Sequence, residues 1–332
     1  MTSRQPINSK TENPQADDKI LAYIAGLFDA ELALHISVDG RNYHLKIDWL
    51  KINDDILTYV ANIFGGTVRE EKTHPKQRYQ VWNWGLSSSN AYQTLFTLWP
   101  YFRIKQTPVT ICIEFYNRYS KALTVSDKQS IGAQYHTKLQ EYQRKPGNSK
   151  KSAEALKLIR EKGSSPTAES ELSSTMHHIL TDVMLPEVET AYIAGLLDAD
   201  SSFLIDKIHD RPSYPLEVKY RKYDRPTLEY LATIFGGRVR RAPISPKNQI
   251  QPWLWQVTSQ KAYMLIKYIY PYLHIKKQNA EICMEFFEHY WTGAFGVSIS
   301  PRRQRVGEEY SALLKRHLTK SMPHKKAEDK IP

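Results

Sequence analysis

Along residues 18–119 the spacing of apolar positions changes several times, and each change marks an element. From Asp18 to Ala30, the residues Ile20, Leu21, Ile24, Leu27 and Phe28 fall on one face of a helix. The period then drops to two. Leu32, Leu34, Ile36 and Val38 alternate with Ala33, His35, Ser37 and Asp39, which predicts a strand with one buried face. Asp39-Gly40 predicts a turn. A second strand follows, with Leu45, Ile47 and Trp49 inward and His44, Lys46 and Asp48 outward. Helical spacing returns from Asp54 to Phe64 and stops at Gly65-Gly66, since glycine suits a helix C-terminus. Two more strands are predicted over 67–73 and 79–86, with His74, Pro75, Lys76 and Arg78 in the loop between them. Helices near 88–98 and 105–119 complete the unit: helix, two strands, helix, two strands, two helices.

That order recurs in the second half. Ala22-Tyr23-Ile24-Ala25-Gly26-Leu27-Phe28-Asp29-Ala30-Glu31 returns 169 positions later as Ala191-Tyr192-Ile193-Ala194-Gly195-Leu196-Leu197-Asp198-Ala199-Asp200. Later landmarks return at 171: Ile63-Phe64-Gly65-Gly66 at 234–237, Trp82 and Trp84 at Trp253 and Trp255, Pro100-Tyr101 and Lys105 at Pro271-Tyr272 and Lys276. In the matching second strand Leu216, Val218 and Tyr220 point inward, with Glu217 and Lys219 outward. A period this long belongs to a duplicated domain and not to a solenoid. The expected division is a disordered tail over 1–17, repeats over 18–119 and 187–290, a linker over 120–186 and a basic tail over 291–332. Within the linker, 152–162 reads as helical and 163–166 as flexible. Residues 300–332 read as disordered, or held down only against nucleic acid.

Composition narrows the partner. The net charge is +11, which makes a polyanion, nucleic acid first, the expected partner. Apolar residues make up 41% of the chain, enough for sizeable cores. The two cysteines, Cys112 and Cys283, stand at equivalent places in apolar helical runs and read as buried inert thiols. No run reaches the ~18 apolar residues of a membrane span, and Met1 to Asp18 lacks the apolar core of a secretory signal. A soluble, intracellular chain with no membrane partner is expected.

The candidate chemistry lies at the ends of the repeated signatures. Ala22 and Gly26, like Ala191 and Gly195, are four apart on one helix face, a spacing that lets two helix backbones approach closely. If the two helices pack side by side, Glu31 and Asp200 reach the same end of the pair. Two carboxylates meeting there call for a cation between them, and Mg²⁺ takes such oxygens while keeping waters. A metal-bound water is a ready nucleophile for phosphodiester hydrolysis. Asp29 and Asp198, two residues earlier, read as groups that satisfy nearby backbone or position the helix end.

These signatures, at 24–31 and 193–200, resemble the LAGLIDADG homing endonucleases in their single-chain, two-motif form. The element order and the Pro-Tyr-x-x-x-Lys runs support the resemblance, which covers both repeats but not the linker or the tails. It implies an α+β fold: two pseudo-symmetric αββαββα units packed through the motif helices, their antiparallel sheets forming a saddle over the DNA major groove. It further implies that Glu31 and Asp200 bind a divalent cation (Mg²⁺, or Mn²⁺ or Ca²⁺) at the scissile phosphates. Lys105 and Lys276 match a lysine near the reaction centre, able to stabilise phosphate charge or to orient the attacking water. The chain departs from the family in three ways. Leu32 and Ser201 replace the motif's final Gly. Glu at position 31 keeps the carboxylate but lengthens its reach. Trp49 and Tyr220 stand where relatives often carry a polar side chain near the active-site water, with Lys51 and Lys222 close by as substitutes.

Strand alternation turns His35, Ser37, Lys46, Asp48, Arg69, Glu217, Lys219 and Arg240 away from the core. This mixture of basic and acidic groups suits reading of base edges, where Arg pairs with guanine and acids accept from cytosine. The functional expectation is a monomeric, site-specific double-strand DNA endonuclease cutting a long asymmetric target by metal-assisted hydrolysis. An RNA-binding intron maturase on the same fold and a non-catalytic DNA-binding protein are the alternatives.

Overall fold

The computed structural model describes residues 17–52, 54–71, 80–144, 185–208, 213–244, 251–291 and 301–320. Residues 1–16 of the tail expected over 1–17, the loop residues His74, Pro75, Lys76 and Arg78, and the linker segments 152–162 and 163–166 lie outside these, while Asp17 is described and caps the first helix.

Helix α1 (Asp18–Glu31) starts where the Asp17 carboxylate accepts from the backbone N–H of Lys19. Strands β1 (Ala33–Asp39) and β2 (Asn42–Lys51) form a hairpin closed at Asp39 and Asn42. Helix α2 (Asp55–Phe64) ends at Gly65 and Gly66, whose φ values of +74° and +93° would strain any other residue. Then come β3 (Thr67–Glu70), β4 (Trp82–Ser87), α3 (Ser88–Leu98) and α4 (Gln106–Lys121). Glu71, Gln80 and Val81, expected in these strands, lie outside them, and the expected strand positions 72, 73 and 79 lie outside the described residues. The sheet order is β1-β2-β4-β3, antiparallel throughout.

The second repeat follows the same plan. Helix α6 (Glu187–Asp200) leads into β5 (Ser201–Ile205), β6 (Leu216–Lys222), α7 (Arg225–Phe235), β7 (Arg238–Arg241), β8 (Trp253–Thr258), α8 (Ser259–Ile269) and α9 (Lys277–Trp291). Its sheet order is β5-β6-β8-β7. In both sheets the inward positions fill a continuous core, including Trp49, Trp84, Tyr220 and Trp255. Cys112 and Cys283 are free and buried on α4 and α9, and burial raises both thiols, Cys112 to about 12.

Two helices extend the repeats. Helix α5 (Val125–Arg144) opens the segment expected to be linker and packs along β1 and α4. It covers the open edge of β1, where Gln143 donates to Leu34 O at 2.9 Å and His136 Nδ1 lies 2.6 Å from Ile36 O. Helix α10 (Pro301–Lys320) packs on α9 and β5. The expectation of disorder over 300–332 is therefore corrected for 301–320, where Leu314 and Ser311 are buried. The two helices correspond. Ile131, Gly132, Tyr135 and Leu139 match Val306, Gly307, Tyr310 and Leu314, and the two glycines face the rings of Tyr43 and Tyr214.

Helices α1 and α6 pack against each other between the two repeats. Each is buried nearly all round, from Ala22 to Asp29 and from Thr190 to Ala199, as expected of a helix enclosed by protein. A Cβ on Gly26 would overlap the Tyr192 carbonyl oxygen and stand 2.8 Å from the Leu196 nitrogen. One on Gly195 would overlap the Tyr23 carbonyl and stand 3.1 Å from the Leu27 nitrogen. The backbones touch at the small residues that the sequence places there.

Candidate functional site

The close approach of α1 and α6 brings their C-terminal ends together, with Glu31 and Asp200 as the last helical residues. Below them, Asp29 and Asp198 are buried and fully engaged. Asp29 accepts from the backbone N–H groups of Arg103, Ile104 and Lys105 at 2.7, 3.0 and 2.6 Å. Asp198 accepts from those of His274, Ile275 and Lys276 at 2.7, 2.8 and 2.6 Å. Each carboxylate also takes a tyrosine hydroxyl from the other repeat: Tyr192 to Asp29 at 2.8 Å and Tyr23 to Asp198 at 2.7 Å. Burial raises the Asp29 carboxyl, and the four donors oppose that rise. These aspartates shape the turns that deliver Lys105 and Lys276, as their positioning role in the sequence requires.

Lys105 reaches back to the end of α1, donating to Phe28 O and Leu32 O, both at 2.8 Å. Lys276 does the same at α6, donating to Leu197 O at 3.3 Å and to Asp198 O. Helix C-terminal carbonyls carry partial negative charge, so an ammonium is favoured there. Both lysines are half-buried, and desolvation of their ammoniums lowers each to about 8 despite the attraction of Asp29 or Asp198. Lys222 adds to the lowering at Lys105, as Lys51 does at Lys276.

Lys51 and Lys222, at the ends of β2 and β6, cross between repeats. Lys51 Nζ pairs with Glu31 Oε2 and donates to Ala199 O at 3.2 Å. Lys222 Nζ lies 2.9 Å from Asp200 Oδ2 and donates to Ala30 O at 3.0 Å. The rings of Trp49 and Tyr220 lie beneath these ammoniums, at 5.4 and 5.2 Å. Trp49 also donates its indole N–H to Glu31 Oε2 at 3.0 Å. The equivalent Tyr220 hydroxyl is buried and has no partner among the described residues. Both aromatic residues are thus core-facing, and the polar group each strand offers the site is the lysine two residues on.

The arrangement offers hard oxygen donors. Each acidic side chain shares a cation-binding corner with the main-chain carbonyl that precedes its counterpart in the other repeat: Glu31 with Ala199 O, and Asp200 with Ala30 O. Among the described residues no three His, Cys, Asp or Glu side chains gather into one cluster. Further ligands to a metal would therefore be water or substrate oxygens, which suits Mg²⁺ or Ca²⁺ better than a softer ion. That an ammonium already rests in each corner shows that these oxygens accept a cation.

All eight residues expected to face a partner lie on the outer faces of the sheets. His35 and Lys46 are exposed and paired across β1 and β2, and His35 Nε2 is 4.0 Å from Asp48 Oδ2. Ser37 donates to His44 O at 3.3 Å, and Arg69 is exposed opposite Asn83. In the second sheet Glu217 pairs with Lys219 and accepts from Gln256 at 2.8 Å. Arg240 in turn donates to Gln256 Oε1 at 3.4 Å. Gln256 and the exposed Arg238 belong to this face but were not singled out from the sequence. The alternation that turns Val239, Trp255 and Val257 inward would have found both. Across the described residues, no helix is long and apolar enough to cross a membrane.

No protein-family model and no curated protein sequence matches the chain. Solved structures do. The chain is similar to the LAGLIDADG homing endonuclease I-GzeII in complex with its DNA target, at 11% identity and a TM-score of 0.55, over 89% of this chain and 97% of that one. It is similar to I-SmaMI bound to uncleaved DNA in the presence of calcium ions, at 12% identity and a TM-score of 0.59, over 90% and 98%. I-LtrWI, a LAGLIDADG homing endonuclease bound to target DNA, matches at 15% and 0.56, over 89% and 97%. The chain has the LAGLIDADG homing endonuclease fold.

Proposed function

We propose that this chain is a site-specific double-strand DNA endonuclease that acts as a monomer on a long asymmetric target. It would cut by divalent-metal-dependent phosphodiester hydrolysis. The observation that carries this reading is the pair of mixed corners at the helix ends, each combining a carboxylate of one repeat with a carbonyl of the other. The similar solved structures, bound to DNA targets and in one case prepared with calcium, support it.

Glu31 with Ala199 O, and Asp200 with Ala30 O, would each hold a divalent cation. A bound divalent ion supplies charge neutralisation at the phosphate and an activated water at neutral pH. Lys105 and Lys276 hold positive charge at the same helix ends, where it can stabilise the oxygens of the reacting phosphate. Asp29 and Asp198 fix the turns that place these lysines. Because each corner takes donors from both repeats, one chain completes both halves. The two sheets differ at nearly every outward position, so the two half-sites are read by different groups and the target is asymmetric.

Selection of cleaved duplexes from a randomised library, with purified protein and Mg²⁺, tests the proposal. Recovery of one long site, cut on both strands only when Mg²⁺ is present, is expected. Binding without cleavage of any duplex under Mg²⁺ or Mn²⁺ would overturn it.

A further inference from the structure

The corners between carboxylate and carbonyl are each filled by a lysine, and the two halves achieve this with different parts. In one, the acid is Glu31 and the ring beneath the ammonium is Trp49. In the other, they are Asp200 and Tyr220. The ammonium nonetheless ends in the same place both times, bound to its own repeat's acid and to the opposite repeat's carbonyl. Both lysine side chains are largely buried, at 15% and 18% exposure. A lysine serving only to neutralise a surface acid has no reason to reach across the repeat interface.

We propose that Lys51 and Lys222 are resident cations, occupying the two divalent-ion positions of the free protein until nucleic acid arrives. The inference rests on the metal-dependent reading above. A divalent ion and an ammonium cannot share one carboxylate oxygen and one carbonyl at contact distance, because like charges repel strongly where water is scarce. The ion must therefore displace the lysine. The displaced ammonium needs a new anionic partner, and a phosphate oxygen provides one through a charge-assisted hydrogen bond. Metal uptake and DNA binding are thereby coupled. By linkage, the factor by which DNA tightens the metal equals the factor by which metal tightens DNA. Without DNA, the lysines keep Glu31 and Asp200 neutralised, so the helix ends are stable in the absence of metal.

The test is Mn²⁺ binding to the full chain, followed by the paramagnetic resonance of free Mn²⁺, with and without a duplex recovered by binding selection. Wild type is expected to bind Mn²⁺ about tenfold or more tightly with the duplex present. Lys51→Met and Lys222→Met keep the apolar stem over the ring and remove the charge. Each is expected to raise Mn²⁺ affinity without DNA by a similar factor, which loss of a merely structural ion pair would not do. Unchanged or weaker Mn²⁺ binding by the folded Met variants overturns the inference, as does equal wild-type affinity with and without the duplex. Should a Met variant fail to fold, Lys51→Gln or Lys222→Gln, which also removes the charge, replaces it in the same measurement with the same expected and overturning results. Glu31→Gln with Asp200→Asn separates the two readings. If the DNA complex of this double variant binds Mn²⁺ as tightly as the wild-type complex does, the metal reading itself fails. If the double variant abolishes that binding while the lysine variants change nothing, only the resident-cation inference fails.

Discussion

The hydroxyl of Tyr23, in the first repeat, lies 2.7 Å from Oδ2 of Asp198, in the second. Asp198 is the group that gathers the backbone of His274, Ile275 and Lys276. One side chain thus ties the helix interface to the turn that delivers a site lysine in the opposite repeat. Tyr23→Phe removes a charge-assisted hydrogen bond from a buried carboxylate. It is expected to cost about 1.5–3 kcal/mol in urea unfolding. Tyr192→Phe, which unties Asp29, is expected to cost a similar amount, and wild-type stability in both would contradict this assignment.

The helix interface makes a second expectation. Gly26→Ala places a Cβ against the backbone of α6, where no side-chain rotation can relieve it. The helices must separate, at a cost of about 3 kcal/mol. The expected result is a clear drop in unfolding midpoint together with loss of any cleavage, since Glu31 and Asp200 would no longer share an end. An alanine variant as stable as wild type would mean that the helices pack more loosely than described.

Burial lowers Lys105 and Lys276 to about 8, against an ordinary value of 10.5. Below pH 8 both lysines are charged in folded and unfolded chains alike, so the burial cost is present in full. Between about pH 8 and 10 the unfolded chain holds the extra protons, and the stability these groups contribute rises with pH. Urea midpoints across this window are expected to rise less steeply for Lys105→Met and Lys276→Met than for wild type. The charge-stabilising role adds that the cleavage rate of wild type falls as pH passes through 8. A slope unaltered in both variants would show that the lysines are not buried as cations.

Arg69 and Arg240 occupy equivalent outward places on β3 and β7. Replacing either by Ala is expected to relax preference at a few positions of its own half-site, at about 1–3 kcal/mol for a bidentate base contact. Repeating the binding selection with each variant measures this. A uniformly weaker but otherwise unchanged profile would assign the arginine to phosphate instead.

The parts legible in the sequence are those governed by local spacing. The Ala22/Gly26 and Ala191/Gly195 pairs announce a close helix pair, and alternation alone turns Lys46, Arg69 and Lys219 outward. What could not be read depends on contacts between distant segments. Lys51 binds a carbonyl 148 positions away and Lys222 one 192 away, and no periodicity carries that information. Helix α10 was missed for another reason. Its Arg- and Lys-rich surface reads as a solvated tail, and its landmarks return at an offset of 175 instead of 171, which hides the match of Gly307 to Gly132. Alternation puts the indole of Trp49 in the core but does not say that its N–H reaches Glu31.

The central claim is that Glu31 and Asp200 form one hydrolytic centre built across two repeats. The most direct measurement is cleavage of the selected duplex by Glu31→Gln and Asp200→Asn, alongside binding of the same duplex. Each variant is expected to lose double-strand cleavage while binding stays within about tenfold of wild type. Full double-strand cleavage by both single variants would contradict the account.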